Sequence, residues 1–457
     1  VKHARLALIL AVALTVRLAV GLSQDALTPY DRLSGGDSWW YLEYSYRQVT
    51  DTQMEPPSTA PIYLLVVGGL RWLFYVPAAV AIPLLAPPGG GLDIVSVAGQ
   101  PTAGAVIALR VIQALADTLT CAFLYRIARA LWQTESAGLI AAGIGALSVT
   151  LIVGTAEIAT EALFLCFFSG GMAAYLEALT PDQTRRFATR RLLLAGIGFG
   201  LATLTRAAAL LFPLGIVAHA GVVWWRNRAR PTGVHVTGIF GLLAVYVLLC
   251  GLWTGFYYAR WGEWVIGAKG MSAFFFLGTQ DDVPDPEQID AALGATPANP
   301  ANEGAYLETA SRVIGADLRG YLSLRARNLL STVLQPHGTV AFPGDSLRVM
   351  AAQWLAEDLT AGGLTALTRT AGFWPKLAIY IWHFGGILFG AAGAVILLWR
   401  TRWRETLPPL GWIAYLLLLH LLLLALPRYL FPMMIGWWPL AAGVFSRRRV
   451  RASATGH

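Results

Sequence analysis

The sequence predicts an all-α polytopic membrane protein of about ten transmembrane helices, with outer juxtamembrane helices and one large external loop. Three observations carry this expectation. The 457 residues are 56% hydrophobic and only 13% charged, a balance too apolar for a soluble chain of this size. Apolar runs of roughly 17–25 residues, the length that crosses a bilayer, recur along the chain. The arginines gather in the short gaps between those runs, as the positive-inside rule requires. The net charge of +8 is therefore read as basic membrane loops and not as a nucleic-acid surface. Cys121, Cys166 and Cys250 all sit in apolar runs, which argues against a disulfide framework.

The first run, Leu6–Leu22, follows Lys2 and Arg5. No convincing small-residue cleavage site comes after it and many spans do, so it is read as a retained helix leaving the cytoplasm. An outer loop over 23–103 follows. It carries Ser34-Gly35-Gly36-Asp37-Ser38-Trp39-Trp40-Tyr41, then Glu55-Pro56-Pro57. The apolar segment Pro61–Ala86 is long enough to span, but Arg71, Pro77 and Pro83 interrupt it. Loop charge decides its reading. If it does not cross, the following spans are Gly104–Tyr125, Ala137–Thr155, Thr160–Leu179, Leu192–Thr205, Ala207–Trp225, Val236–Gly255, Lys376–Trp399, Leu407–Leu426 and Leu430–Phe445. Every basic cluster then falls inside, including Arg126/Arg129, Arg185/Arg186/Arg190/Arg191, Arg226/Arg228/Arg230 and Arg400/Arg402/Arg404. If it crosses, all of them move outside. Residues 61–86 are therefore expected to lie at the outer interface or to re-enter it.

Three regions result: a transmembrane module over 1–256 with its first outer loop, a large external loop over 257–375, and C-terminal helices with a cytoplasmic tail over 376–457. Both termini are expected in the cytoplasm. The external loop is far longer than an ordinary connection and is expected to cap an outer site.

Candidate site residues follow from this topology. Asp37, behind two glycines, is either the N-cap of a helix starting at Ser38 or a general base. Arg110, Arg206 and Arg428 fall at the outer ends of helices, where the charge rule disfavours them. They are either snorkelling or forming a phosphate clamp, for which the guanidinium fork is suited. Lys269 lies in the external loop and is less constrained. Glu157 and Glu161 lie one turn apart before the fourth span and would share a face if that turn is helical. They are a second acidic site or charges that complement a helix dipole. Glu55 has the same standing. Gln335 and His337 read as solvated surface, and Phe274–Phe276 as packing or an interfacial anchor. No metal-binding motif, phosphate-binding glycine loop or Ser-His-Asp pattern is present, and nothing indicates a nucleotide.

Several short motifs occur in a telling order: Gly36-Asp37-Ser38 with Tyr41, Ala60-Pro61-Ile62-Tyr63, Leu109-Arg110-Val111, Thr160-Glu161-Ala162, Leu204-Thr205-Arg206 and Pro427-Arg428-Tyr429. On these the chain resembles the GT-C glycosyltransferases, in particular the protein O-mannosyltransferase and aminoarabinose-transferase branch. The resemblance implies a polyprenyl-phosphate-linked sugar as donor and a protein, lipid or glycan hydroxyl as acceptor. It implies an external active site on the cytoplasmic membrane, with Asp37 as the base of an inverting transfer. Tyr41 and Tyr429 join Arg110, Arg206, Lys269 and Arg428 as donor-binding candidates. Many relatives carry Asp-Glu in the first loop; here Ser38 follows Asp37, which argues against a metal role at this position, and a divalent metal requirement is otherwise left open. Two other classes compete: a lipid-linked glycan flippase and a non-enzymatic envelope-assembly subunit. A flippase predicts ionisable residues in the middle of the bundle and pseudo-symmetric halves, and neither stands out.

Overall fold

The computed structural model describes residues 2–23, 103–180, 183–226, 234–267, 271–280, 303–357 and 360–446, and the single residue Val66. Asp37, Tyr41, Glu55, the Pro61–Ala86 segment apart from Val66, and Lys269 lie outside the described residues. Among the described residues every regular element is helical. The bundle is built from α1 (Lys2–Ser23), α2 (Ala103–Trp132), α3 (Glu135–Ala146), α4 (Val149–Gly154), α5 (Glu161–Ala178), α6 (Arg185–Thr205), α7 (Phe212–Arg226) and α8 (Val236–Trp261). The long connection contributes α9 (Met271–Leu277), α10 (Glu303–Ala316), α11 (Leu318–Val333), α12 (Leu347–Glu357) and α13 (Ala361–Arg369). The chain then returns through α14 (Phe373–Trp399), α15 (Trp403–Leu422), α16 (Pro427–Leu430) and α17 (Met434–Ala442).

Among the described residues, seven helical segments are long and apolar enough to cross a membrane: Ala4–Ser23, Val106–Trp132, Arg185–Thr205, Ala207–Arg226, Val236–Trp261, Phe373–Trp399 and Trp403–Leu422. Three expected spans take another form. Ala137–Thr155 is broken between α3 and α4, where the Ser148 hydroxyl caps α4 by accepting from the Leu151 N–H. Thr160–Leu179 becomes the shorter α5, with Glu161 and Glu177 near its ends. Leu430–Phe445 is divided into α16, a 3-10 turn over Phe431–Met433, and α17, with a further proline, Pro439, inside the last. Proline removes a backbone donor and crowds the preceding turn, which explains the division.

Hydrogen bonds assign the helix ends to two sides of the bundle. At one end Arg126 makes a two-pronged bond to Glu177 at 2.7 and 2.6 Å, and Arg191 reaches the same carboxylate at 3.0 Å. There also the Trp132 indole donates to the Pro439 carbonyl, and Arg402 donates to the Ala130 carbonyl. The arginine-bearing connections between α2 and α3, α5 and α6, and α14 and α15 thus share one side. The opposite end joins the C-terminus of α1 to α2, where Gly21 packs against Arg110 and Thr155. The chain leaves α1 and enters α2 on this same side. Exposed tryptophans mark both levels, Trp225 and Trp399 at the arginine end and Trp264 and Trp374 at the other, as expected of interfacial belts.

Lipid offers helices no hydrophobic drive to associate, so close packing decides where they cross. A Cβ on Gly198 of α6 would sit 2.7 Å from the Gly171 backbone of α5, so both positions need glycine. Beside this crossing Phe168 packs on Trp412 of α15, with ring centroids 3.9 Å apart, and on Phe199 and Phe212. The long connection is docked just as firmly. Arg325 of α11 is fully buried and donates to the carbonyls of Gly278, His420 and Leu423. Tyr321 donates to Leu422 O at 2.8 Å and Thr332 to Ala425 O at 3.1 Å. These bonds satisfy the carbonyls that α15 leaves open at its C-terminus and fix the segment that leads into α16.

Candidate active site

Glu161 is the first residue of α5, where helix N-terminal N–H groups favour a negative side chain. Two arginines from separate elements converge on it. Arg206 terminates α6 with extended backbone, φ −153° and ψ 117°, before a 3-10 turn over Ala207–Ala209. Its Nη1 donates to Glu161 Oε1 at 2.7 Å. Arg428 follows Pro427, whose ring suits the first position of a helix, in the one-turn α16. Its Nε donates to Oε1 and its Nη2 to Oε2 at 3.0 Å. Exposure of the three side chains is 14% for Glu161, 14% for Arg206 and 25% for Arg428, enough screening from water to strengthen the contacts. Two cations and one anion leave the cluster with an excess of positive charge.

Tyr429 extends the cluster. Arg206 lies over its ring, 4.9 Å from the centroid, and His420 stacks on it at 5.6 Å with 19° between the planes. Phe274 meets the ring edge-on at 5.7 Å, while Phe276 is buried against Tyr306, so these loop aromatics pack.

His337 and Gln335 are not solvated surface. The His337 carbonyl accepts from the Thr150 hydroxyl at 3.0 Å, and Gly338 turns the chain there with φ 92°. The ring lies 5.6 Å from that of Phe431 and lines a small cavity with Asp117, Thr150, Glu157 and Glu161. Burial pushes the His337 imidazole from 6.5 to about 4; Glu161 opposes that shift, and Arg428 and Arg206 add to it. The Gln335 amide donates to Thr339 at 3.1 Å and accepts from Tyr380 at 3.2 Å.

Arg110 and Glu157 are both placed at the turn that leads to α5. Arg110 is buried and donates to Ala156 O at 3.2 Å, on the turn that leads to α5. Glu157 is exposed and does not share a helical face with Glu161, because residues 155–160 form a non-helical turn. The Gln113 amide fixes that turn by donating to the carbonyls of Thr155 and Glu157. Among the described residues no group of three or more His, Cys, Asp and Glu side chains is arranged to hold a metal ion. Both Glu161 oxygens are already committed to guanidinium groups.

Ionisable residues do occupy the bundle interior, contrary to the sequence expectation. Arg17 and Asp117 are 0% and 2% exposed, with Nε and Oδ2 4.0 Å apart. Arg17 also donates to the carbonyls of Ala13, Gly145 and Ala146. The signal was available: an arginine and an aspartate inside apolar runs. With these donors held by helix carbonyls, Arg17 ties α1 to the end of α3.

Residues 103–250 match the family model described as dolichyl-phosphate-mannose-protein mannosyltransferase. This stretch holds α2 to most of α8, with Glu161 and Arg206. Among solved structures the chain is similar to the archaeal oligosaccharyltransferase AglB from Archaeoglobus fulgidus, solved with an inhibitory peptide and a dolichol-phosphate. The TM-score is 0.52 at 16% identity, over 96% of this chain and 50% of that one. The chain thus spans about half the length of that enzyme. It is also similar to ArnT from Cupriavidus metallidurans, with TM-score 0.40 and 16% identity over 96% of this chain and 76% of that one. No curated protein sequence matches the chain. The GT-C resemblance read from short motifs thus agrees with the family match over residues 103–250 and with a fold similar to that of the archaeal enzyme.

Proposed function

We propose that the chain is a membrane glycosyltransferase that moves a sugar from a polyprenyl-phosphate carrier to an acceptor hydroxyl on the outer face of the cytoplasmic membrane. The observation that carries this reading is the convergence of Arg206 and Arg428 at the end of the bundle opposite the arginine-bearing loops. Two guanidinium groups that charge rules would keep from that side have a use there if they grip phosphate. The mannosyltransferase family match and the dolichol-phosphate in the archaeal structure support the same donor class.

The chemistry is a single displacement. The acceptor oxygen forms a bond to the anomeric carbon as the bond to the phosphate oxygen breaks, which inverts that centre. The acceptor proton passes to Asp37, the proposed base, and the polyprenyl phosphate leaves with the electron pair. Arg206 and Arg428 hold the departing phosphate, and Tyr429 holds Arg206 in place from below. Arg110 braces the turn before Glu161. Asp37, Tyr41 and Lys269, outside the described residues, are proposed as further site residues. The acceptor is a protein, lipid or glycan hydroxyl.

Kinetics of the purified chain with a polyprenyl-phosphate sugar test the phosphate clamp. Arg428→Lys keeps the charge and loses the fork, so donor use should fall about 10–150-fold. The acceptor dependence should stay close to that of the native chain. Donor use equal to the native chain would remove Arg428 from the site.

A further inference from the structure

The Glu161 carboxylate occupies the very donors that the phosphate reading needs. A carboxylate and a phosphate offer a guanidinium the same arrangement of paired oxygens. Arg206 and Arg428 belong to different elements, α6 and α16, and no shared helix forces them together; they meet on Glu161. We propose that Glu161 is a resident counter-ion, which the donor phosphate displaces from Arg206 and Arg428 and which returns to expel the product phosphate. This rests on the reading of those arginines as the phosphate clamp.

Three features of the site fit an exchange better than a permanent bond. The first is charge. Displacing Glu161 leaves the two guanidinium groups with two positive charges for the single negative charge of a donor phosphodiester. The leaving group is a phosphate monoester and gains a second negative charge. Two guanidinium groups freed of Glu161 match that dianion, and a returning carboxylate competes with it. The second is space. On its other side Glu161 borders the cavity that His337, Thr150 and Asp117 also line. A withdrawn carboxylate can enter there, and the half-buried His337 ring supplies an N–H. Asp117 opposes a long stay there: its Oδ1 accepts no hydrogen bond from any described residue and its side chain is 2% exposed, so its carboxylate repels that of Glu161 and favours the return to the arginines. The third is anchoring. Glu161 is at the N-terminus of α5, so the helix holds the carboxylate near the arginines whichever partner it takes.

The test is binding of a short-chain polyprenyl monophosphate to the purified full chain in detergent, measured by titration calorimetry. Glu161→Gln keeps the size and removes the competing charge. It should bind the phosphate about tenfold tighter or more, while turnover falls because product leaves slowly. Arg206→Gln and Arg428→Gln should bind it more weakly. Glu161→Asp draws the carboxylate back from one guanidinium, and should give a smaller gain in affinity if Glu161→Gln does not fold. Equal or weaker binding by the Glu161 variants, with weaker binding by the arginine variants, overturns the exchange and leaves the phosphate clamp standing. Unchanged binding by both arginine variants overturns the clamp itself, and the exchange with it.

Discussion

Arg17 of α1 and Asp117 of α2 face each other across a closed helix contact, 4.0 Å apart and shut off from solvent. Arg17 adds bonds to the carbonyls of Gly145 and Ala146 at the end of α3. One side chain thus fixes α1, from which the Asp37 segment emerges, against the helices that lead to Glu161. Sequence drives this local structure: two charges in apolar runs must pair, because an isolated one is costly there.

Arg17→Met should therefore destabilise the protein by about 3–5 kcal/mol, since it leaves a buried carboxylate without its cation and removes the side-chain bonds that tie α1 to the end of α3. The double variant Arg17→Met with Asp117→Leu should recover part of the loss. Thermal unfolding in detergent measures both. A single variant as stable as the native chain would mean that the pair does not hold α1.

The proposed sidedness has a direct readout. Ser311 in α10 and Arg186 at the start of α6 are both exposed and belong to opposite sides of the bundle. In intact cells a cysteine at Ser311 should react with an impermeant thiol reagent and one at Arg186 should not. The reverse pattern would put the Glu161 cluster in the cytoplasm.

His337 makes a pH prediction. Its folded pKa, about 4, lies below the ordinary 6.5, so the unfolded chain binds the proton more readily. Its contribution to stability is present above about pH 6.5 and is lost as pH falls from there to about 4. Melting temperature against pH should fall less steeply over that window in His337→Gln than in the native chain. Identical slopes would show that the ring is not held neutral by its surroundings.

Much of the bundle was legible in the sequence because it rests on local signals. Apolar runs gave the helices, and the arginine gaps correctly gathered on one side. The placement of Arg206 and Arg428 at the opposite side follows from the same count. The details that depend on distant partners were not legible. His337 looked like surface because its burial comes from Thr150, 187 positions away, and from Phe431. Glu157 and Glu161 looked like a pair because nothing local shows that residues 155–160 leave helical geometry. The Gln113 side chain that holds this turn comes from α2, 42 positions before Thr155. Nor could spacing reveal that Glu161 is shared by two arginines, one of them 267 positions along the chain.

The proposed reaction moves a sugar from a polyprenyl phosphate to a hydroxyl with Asp37 as base. The most direct measurement is release of polyprenyl phosphate by the purified chain, offered polyprenyl-phosphate sugars and a hydroxyl acceptor, beside the variant Asp37→Asn. Asparagine keeps the size and still serves as a helix cap, so the variant should fold and insert normally. It cannot take the proton, so turnover should fall by roughly 10²–10⁴. Equal turnover by the two proteins would contradict the account and return Asp37 to a capping role.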